Sequence, residues 1–179
     1  MMDVAYALKR FDFLGKEFLT WLWFAVETQS DTLRRIDAQM ASLEIGNRLM
    51  LQNKNQQSTE TVAIRGDSAG MEEGVLALRK GALVAEMNLI YRSGDEDWHF
   101  SLKGETLDPT SVKVPQTGRV ETSEDIEGAA IEKYPLYRRV VDLVGALFAH
   151  FLEQRLDPRW QSAVLPAFQA WINAKENRA

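Results

Sequence analysis

The stretch Phe13-Leu-Gly-Lys-Glu-Phe-Leu-Thr-Trp-Leu-Trp-Phe24 decides the fold that we predict for this chain. From Phe18 onward only Thr20 interrupts its apolar residues, and a helix that is apolar nearly all round is one packed on more than one side. The apolar run to Val26 is too short to cross a bilayer, which takes about 20 apolar residues. We therefore predict a central core helix over residues 13–28 of a soluble protein.

Length and composition fit one globular domain. The chain has 179 residues, of which 45% are hydrophobic and 26% charged, and such a chain can bury a sizeable core. It contains no cysteine, which excludes disulfides and thiolate sites and fits a reducing compartment. The N-terminus lacks the pattern of a secretory signal peptide. We therefore expect a cytoplasmic protein without a membrane anchor.

The segment 32–115 alternates apolar and polar residues, which is the pattern of a sheet. Within residues 42–52, the pair Gly46-Asn47 fits either a tight hairpin turn or a bulge inside one long strand. The further predicted elements are a strand at 59–65, a short helix at 71–80, a hairpin of strands at 82–92 and 98–103, and a short edge at 107–115. We expect a mostly antiparallel sheet, ordered along the chain as hairpin, short helix, hairpin.

Residues 123–175 predict a helical hairpin that needs a surface to pack on. Pro135 is expected to break the first helix or to start a new one, because proline lacks an amide hydrogen and clashes inside a helix. Asp157-Pro158 predicts the start of the last helix, which Pro166 is expected to bend. The first apolar stripe comprises Val140, Val144, Leu147 and Phe151, widened by Val141, Phe148 and Leu152. The second comprises Trp160, Val164, Phe168, Trp171 and Ile172.

Together these elements predict a single α+β domain over residues 1–179. Its parts are the core helix at 13–28, the sheet region at 32–115 and the helical region at 123–175. The opening helix is the expected partner of the C-terminal hairpin, because both are strongly apolar.

No signature of catalysis stands out in the sequence. His99 alternates away from its apolar strand neighbours and should face solvent, and His150 lies on a predicted helix as a partly buried or surface residue. A zinc or iron site needs two or more histidines with a carboxylate at defined spacing. Neither a phosphate-binding glycine loop nor a nucleophile elbow occurs. We predict a non-enzymatic protein without cofactor or metal.

The aromatic residues Trp21, Trp23 and Phe24 allow two interpretations. Exposed rings interleaved with arginine or lysine can stack on the bases of single-stranded nucleic acid. Here the rings are interleaved with leucine and threonine, which favours core packing.

The net charge of −5 provides no global field to attract nucleic acid. Any contact with DNA must therefore come from a local basic surface. The candidate contact residues are Lys9, Arg10, Arg34, Arg35, Arg138 and Arg139.

The segment Leu14–Phe24 resembles the LGxEFLTWLWF motif in the C-terminal half of RdgC-like recombination-associated proteins of the deltaproteobacterial type. Leu78-Arg-Lys-Gly81 with Val84, Ala85 and Leu89 is similar to their LRxGxxVxxAxLxL segment. Further similarities lie at 98–103, 107–115, 151–160 and 170–172, so that the resemblance runs from Phe13 to Ile172. Members of the family carry a longer N-terminal half.

The resemblance implies a role in recombination, because RdgC proteins form ring-shaped dimers that bind duplex DNA and restrain the recombinase. The first hypothesis is a DNA-associated protein that binds without sequence specificity through its basic side chains. The alternative is a protein-interaction or oligomerisation module without direct DNA binding. The expected partners are DNA, a second copy of the chain or a recombination protein. A third possibility, a cryptic hydrolase or nuclease, predicts metal-dependent cleavage of DNA.

Overall fold

The computed structural model describes residues 13–54, 59–65, 68–116 and 123–174. Its first half contains helices α1 (Phe13–Thr28), α2 (Ser30–Ile36) and α3 (Ser68–Arg79), and strands β1 (Ser42–Lys54) and β2 (Thr59–Arg65). The second half contains β3 (Leu83–Ser93), β4 (Glu96–Lys103), β5 (Thr110–Lys113), α4 (Ser123–Leu156), a π-helical segment (Trp160–Val164) and α5 (Leu165–Ala174). The class is α+β, as predicted.

The described strands form one antiparallel sheet in the order β2-β1-β3-β4-β5. The Gly46-Asn47 pair lies inside the single strand β1, where the pairing with β3 shifts register between Ile45 and Leu49. Of the two alternatives for this pair, the bulge is therefore the observed one. Along β4 the buried residues Trp98, Phe100 and Leu102 alternate with His99, Ser101 and Lys103, so one face of the sheet there is apolar and the other polar.

Helix α1 lies between the apolar face of the sheet and the C-terminal helices. Phe18, Leu19, Leu22 and Trp23 are fully buried, because α1 contacts β3 on one side and aromatic residues on the other. The ring pairs that join α1 to the C-terminal helices are Phe18–Phe148, Phe18–Phe151, Trp21–Phe151, Trp23–Trp171, Phe24–Phe168 and Phe24–Trp171. The prediction of a central helix that supports the C-terminal hairpin is confirmed.

Three details differ from the sequence-based expectation. Residues 30–36 form helix α2, although the sequence predicts that the sheet region starts at residue 32. Asp31 lies in its first turn and Arg34 and Arg35 in its last, so the charges complement the helix dipole. This local compensation, together with the burial of Leu33, explains the short helix.

Pro135 lies inside the continuous helix α4, so the predicted break is wrong. The carbonyl that loses its amide partner belongs to Ile131, a residue that is 74% exposed, and water can therefore satisfy it. Val141 was assigned to the buried stripe of this helix, yet it is 52% exposed.

The last helix begins as the sequence indicated, although its first turn has π geometry. The carboxylate of Asp157 accepts hydrogen bonds from the guanidinium of Arg159, at 2.7 Å, and from the amide of the same residue, at 2.8 Å. The guanidinium contact first, and the amide second, lower the pKa of Asp157 to about 2. The amide of Leu165 donates to the carbonyl of Trp160, which is the longer bond of a π-helix. Pro166 then has no amide to continue the pattern.

Candidate nucleic-acid interface

The predicted DNA-contact residues lie on two neighbouring helices. Arg34 and Arg35 are in the last turn of α2, and Arg138 and Arg139 are in α4, which packs against α2. Lys9 and Arg10 fall outside the described residues. The fold therefore places two of the three predicted basic pairs on elements that contact each other.

Two of these arginines are exposed and paired with carboxylates. A guanidinium nitrogen of Arg34 lies 3.6 Å from Asp31, and Nε of Arg138 donates a 2.9 Å hydrogen bond to Asp142. The hydrogen bond to Asp142 raises the pKa of Arg138. Each pair lies within one helix, so the charge that α2 and α4 present to a polyanion is partly compensated. Arg35 is also exposed.

Arg139 is partly buried and bonded to neighbouring elements. Its Nε donates to the hydroxyl of Tyr91 at 2.9 Å, and another nitrogen of the same guanidinium donates to Ser93 at 3.2 Å. The guanidinium also lies 3.7 Å from the carboxylate of Asp37 and over the rings of Tyr91 and Trp98. Arg139 thus ties α4 to β3 and to the segment after α2, and little of it is available for DNA.

The hydroxyl of Tyr91 is the centre of this network. It donates a 2.7 Å hydrogen bond to Asp37 while accepting from Arg139. Burial raises the pKa of Tyr91, and the hydrogen bond to Asp37 raises it further, against the lowering effect of Arg139. The phenol therefore stays protonated beyond its usual range.

The sheet face turned away from α1 is polar and encloses a concavity of about 770 Å³. We call it the polar face. The side chains that define it are Arg48, Glu86, Asn88, His99, Ser101, Lys103, Thr110, Ser111 and Lys113. They share this face because alternate residues of a strand point in the same direction.

The strand register sets the charge pattern of the polar face. Glu86 of β3 lies opposite Lys103 of β4, and His99 lies opposite Lys113 of β5. Glu86 is only 7% exposed, and its carboxylate lies 3.6 Å from Arg48. The lining of this concavity thus contains three cations, Arg48, Lys103 and Lys113, and one carboxylate, that of Glu86, which is an excess of positive charge on a chain whose net charge is −5.

Hydrogen bonds between side chains fix the middle of the polar face. Ser101 donates to the amide oxygen of Asn88 at 2.9 Å, and Asn88 donates to Asn47 at 3.4 Å. Ser111, at the rim, has φ of 51°, a left-handed conformation that is uncommon for a residue with a side chain. The neighbouring register shift between β4 and β5 accounts for this local turn of the backbone.

The polar face suits phosphate oxygens better than bases. Its lysines, arginine, amides and hydroxyls are the groups that contact the nucleic-acid backbone. The aromatic residues of the same strands, Tyr91, Trp98 and Phe100, are buried on the opposite side of the sheet. Trp21, Trp23 and Phe24 are also buried, which confirms that they are core residues.

Sequence reasoning did not single out Arg48, Lys103 or Lys113, because they are isolated in the sequence and come together only through strand pairing. A signal for Lys103 was present, since it alternates away from Trp98 on a predicted strand. Its neighbours across the sheet depend on the strand order, which the sequence did not provide.

The described parts of the chain contain no group of three or more His, Asp or Glu side chains placed to hold a metal ion. His99 is exposed and lies 2.8 Å from Asp97, while His150 is partly buried and contacts Gln154. None of the helices within these parts has both the length and the apolar content needed to cross a membrane.

No protein-family model, curated protein or solved structure matches this chain. The resemblance to RdgC-like proteins therefore remains a prediction from the sequence.

Proposed function

We propose that this chain is a non-enzymatic, DNA-associated protein that binds the DNA backbone without sequence specificity. The observation that carries the proposal is the polar face, where Arg48, Lys103 and Lys113 line one concavity that contains a single carboxylate, that of Glu86. The link to recombination rests on the resemblance of residues 13–172 to RdgC-like proteins.

The physical basis is the release of counterions from DNA. Each phosphate that a lysine or arginine neutralises sets free condensed cations, so binding weakens as the salt concentration rises. Lys103 and Lys113 are both exposed and so can reach phosphates, whereas Arg48 is shared with Glu86. Arg138, which is exposed on α4, is a further candidate contact.

The test is a fluorescence-anisotropy titration of labelled duplex and single-stranded DNA at low salt. We expect the wild-type protein to bind, and the double variant Lys103→Glu, Lys113→Glu to bind at least about tenfold more weakly, because it places two negative charges opposite phosphates. The matched variant Arg34→Glu, Arg35→Glu carries the same change in charge on α2. Equal losses in both variants would show that only net charge matters, and absence of wild-type binding would reject the function.

The second candidate function is a protein-interaction or oligomerisation module without direct DNA binding. The observation in its favour is a set of exposed apolar residues on α4, namely Ile131, Tyr134, Tyr137 and Val141. Apolar groups gathered on one exposed surface commonly mark an interaction site. Sedimentation velocity of the wild-type protein, compared with a Tyr134→Ser, Val141→Ser variant, tests whether a second copy covers this surface.

A further inference from the structure

The exposed part of α4 carries apolar residues in the spacing of a helix–helix seam. Ala130, Tyr134, Tyr137 and Val141 follow one another at intervals of four, three and four residues, which is the a/d repeat of a coiled coil. Tyr134 is 67% exposed, Tyr137 44% and Val141 52%. We call these residues the α4 stripe. Ile131, 74% exposed, widens it.

Two of the four positions that flank the α4 stripe are basic, and the other two hold Ile131 and the buried Val140. With Tyr134 at position a, Lys133 occupies position g and Arg138 position e, the two positions that flank a helix–helix seam. Lys133 also lines a cleft of about 350 Å³ that it shares with Lys113 and Tyr137 and that has no acidic residue in its lining. Glu132 occupies position f, which points away from the seam. Asp142, at position b, is paired with Arg138 and partly compensates its charge, so Lys133 supplies most of the positive charge of the flanks.

This charge pattern disfavours a second copy as the occupant. In an antiparallel pair, each flank faces its own counterpart, so Lys133 would meet Lys133 and Arg138 would meet Arg138. In a parallel pair, the flank of Lys133 would face that of Arg138. Either arrangement brings like charges together, which is unfavourable at a helix–helix interface.

Single-stranded DNA fits the α4 stripe less well than a helix does. Two tyrosines next to Lys133 and Arg138 could stack on bases. Ile131 and Val141, however, are aliphatic and lie at the two ends of the same surface, where they provide apolar contact but no stacking. The combination of an apolar seam and basic flanks is that of a helix-binding surface.

We propose that the α4 stripe binds an amphipathic helix of another protein, with apolar residues along its seam and acidic residues on both flanks. The inference rests on the second candidate function, the interaction module, and specifies the chemistry of the partner.

Two designed helical peptides of about three heptads test this proposal. Both carry leucine at positions a and d, and they differ only in having glutamate or lysine at positions e and g. Anisotropy of the labelled peptides at low salt should show the glutamate peptide binding the wild-type protein at least about tenfold more tightly than the lysine peptide. The double variant Lys133→Glu, Arg138→Glu should reverse that preference.

Substitutions within the α4 stripe test whether it is the surface that binds the peptide. The double variant Tyr134→Ser, Val141→Ser, which we call the seam variant, should abolish binding of the glutamate peptide. Leu156→Ser, which removes another exposed apolar side chain of α4, should leave that binding unchanged. Circular dichroism checks that each variant remains folded, and the altered side chains are all exposed.

The possible outcomes separate this inference from the function on which it rests. Equal binding of the two peptides, lost in the seam variant, would keep the interaction module and overturn the acidic partner. A wild-type dimer that dissociates in the seam variant would overturn the hetero-partner in favour of a second copy. Binding of single-stranded DNA that is lost in the seam variant would overturn it in favour of nucleic acid. No binding of either peptide would overturn the inference while leaving the polar face untouched.

Discussion

The hydroxyl of Thr20 in α1 accepts a 2.9 Å hydrogen bond from the amide of Val84 in β3, while donating a 2.7 Å bond to the carbonyl of Lys16. Val84 lies where the register between β1 and β3 shifts. A register shift disrupts the ladder of backbone hydrogen bonds, and a buried amide without a partner is costly. The core helix thus supplies the acceptor at the irregular point of the sheet that it covers.

Replacing Thr20 by valine should lower the free energy of unfolding by about 1–3 kcal/mol, because the buried amide of Val84 loses its acceptor. Thr20→Ser keeps the hydroxyl and should cost only about 0.8 kcal/mol for the lost methyl group. Thr28 makes the same bond to the carbonyl four residues earlier but is exposed, so Thr28→Val is the matched control. Urea denaturation measures all three, and an equal loss for Thr20→Val and Thr28→Val would contradict the role of Thr20.

The approach of α1 to the end of β4 requires glycine at position 15. A Cβ atom there would lie 1.8 Å from the carbonyl oxygen of Gly104, which is backbone and cannot move aside. Gly15→Ala should therefore destabilise the protein by at least about 1–3 kcal/mol, as overpacked cores do. At Gly145, inside α4, a Cβ meets nothing within 4 Å, and Gly145→Ala should stabilise by up to about 1 kcal/mol. Thermal unfolding that shifts in the same direction for both variants would refute this distinction.

The adjacent residues Arg138 and Arg139 should differ sharply in their effect on stability. Arg139→Gln removes a partly buried set of bonds to Tyr91, Ser93 and Asp37 and should cost about 2 kcal/mol, since hydrogen bonds to charged groups contribute roughly 1.5–3 kcal/mol. Arg138→Gln removes an exposed pair and should leave the midpoint of urea unfolding unchanged within error. DNA affinity should respond in the opposite order, falling for Arg138→Gln more than for Arg139→Gln.

The Tyr91 network should make the fold sensitive to alkaline pH. The pKa of Tyr91 is raised in the folded protein, so the native state holds its proton more tightly than the unfolded chain does. That contribution to stability is fully present below about pH 10, the pKa of an unperturbed tyrosine, and is lost as the pH rises from there through the raised value. Urea unfolding of the wild type and of Tyr91→Phe between neutral pH and pH 11 measures it. The difference between the two proteins should shrink at alkaline pH, and a constant difference would contradict this assignment.

Much of the fold could be predicted from the sequence, because the periodicity of the apolar residues reflects directly which side of an element is buried. The apolar run after Gly15 predicted the central helix, and the alternation from Trp98 to Lys103 predicted a strand with one buried face. The predicted helix break at Pro135 is wrong, because the local preference of proline reflects the lost hydrogen bond but not the water that can replace it at an exposed turn. Helix α2 was missed because Ser30 and Asp31 are typical of loops as well as of helix starts.

The candidate site was harder to predict from the sequence than the fold was, and the physical reason is different. Arg48, Glu86 and Lys103 lie on three strands and are adjacent only because β3 pairs between β1 and β4. Adjacent basic residues in the sequence proved a poor guide, since Arg138 and Arg139 point in different directions on a helix. Arg138 faces solvent, whereas Arg139 joins the partly buried network around Tyr91.

The most direct test of the account is the salt dependence of DNA binding by the wild type and by Lys103→Gln, Lys113→Gln. Each phosphate neutralised contributes about 0.9 to the slope of log Kd against log salt concentration, so two lysines contribute about 1.8. If the polar face holds the DNA backbone, the slope of the double variant should be smaller than that of the wild type by about this amount. An unchanged slope, or a wild-type protein whose DNA binding does not depend on salt, would contradict the proposed DNA-binding surface.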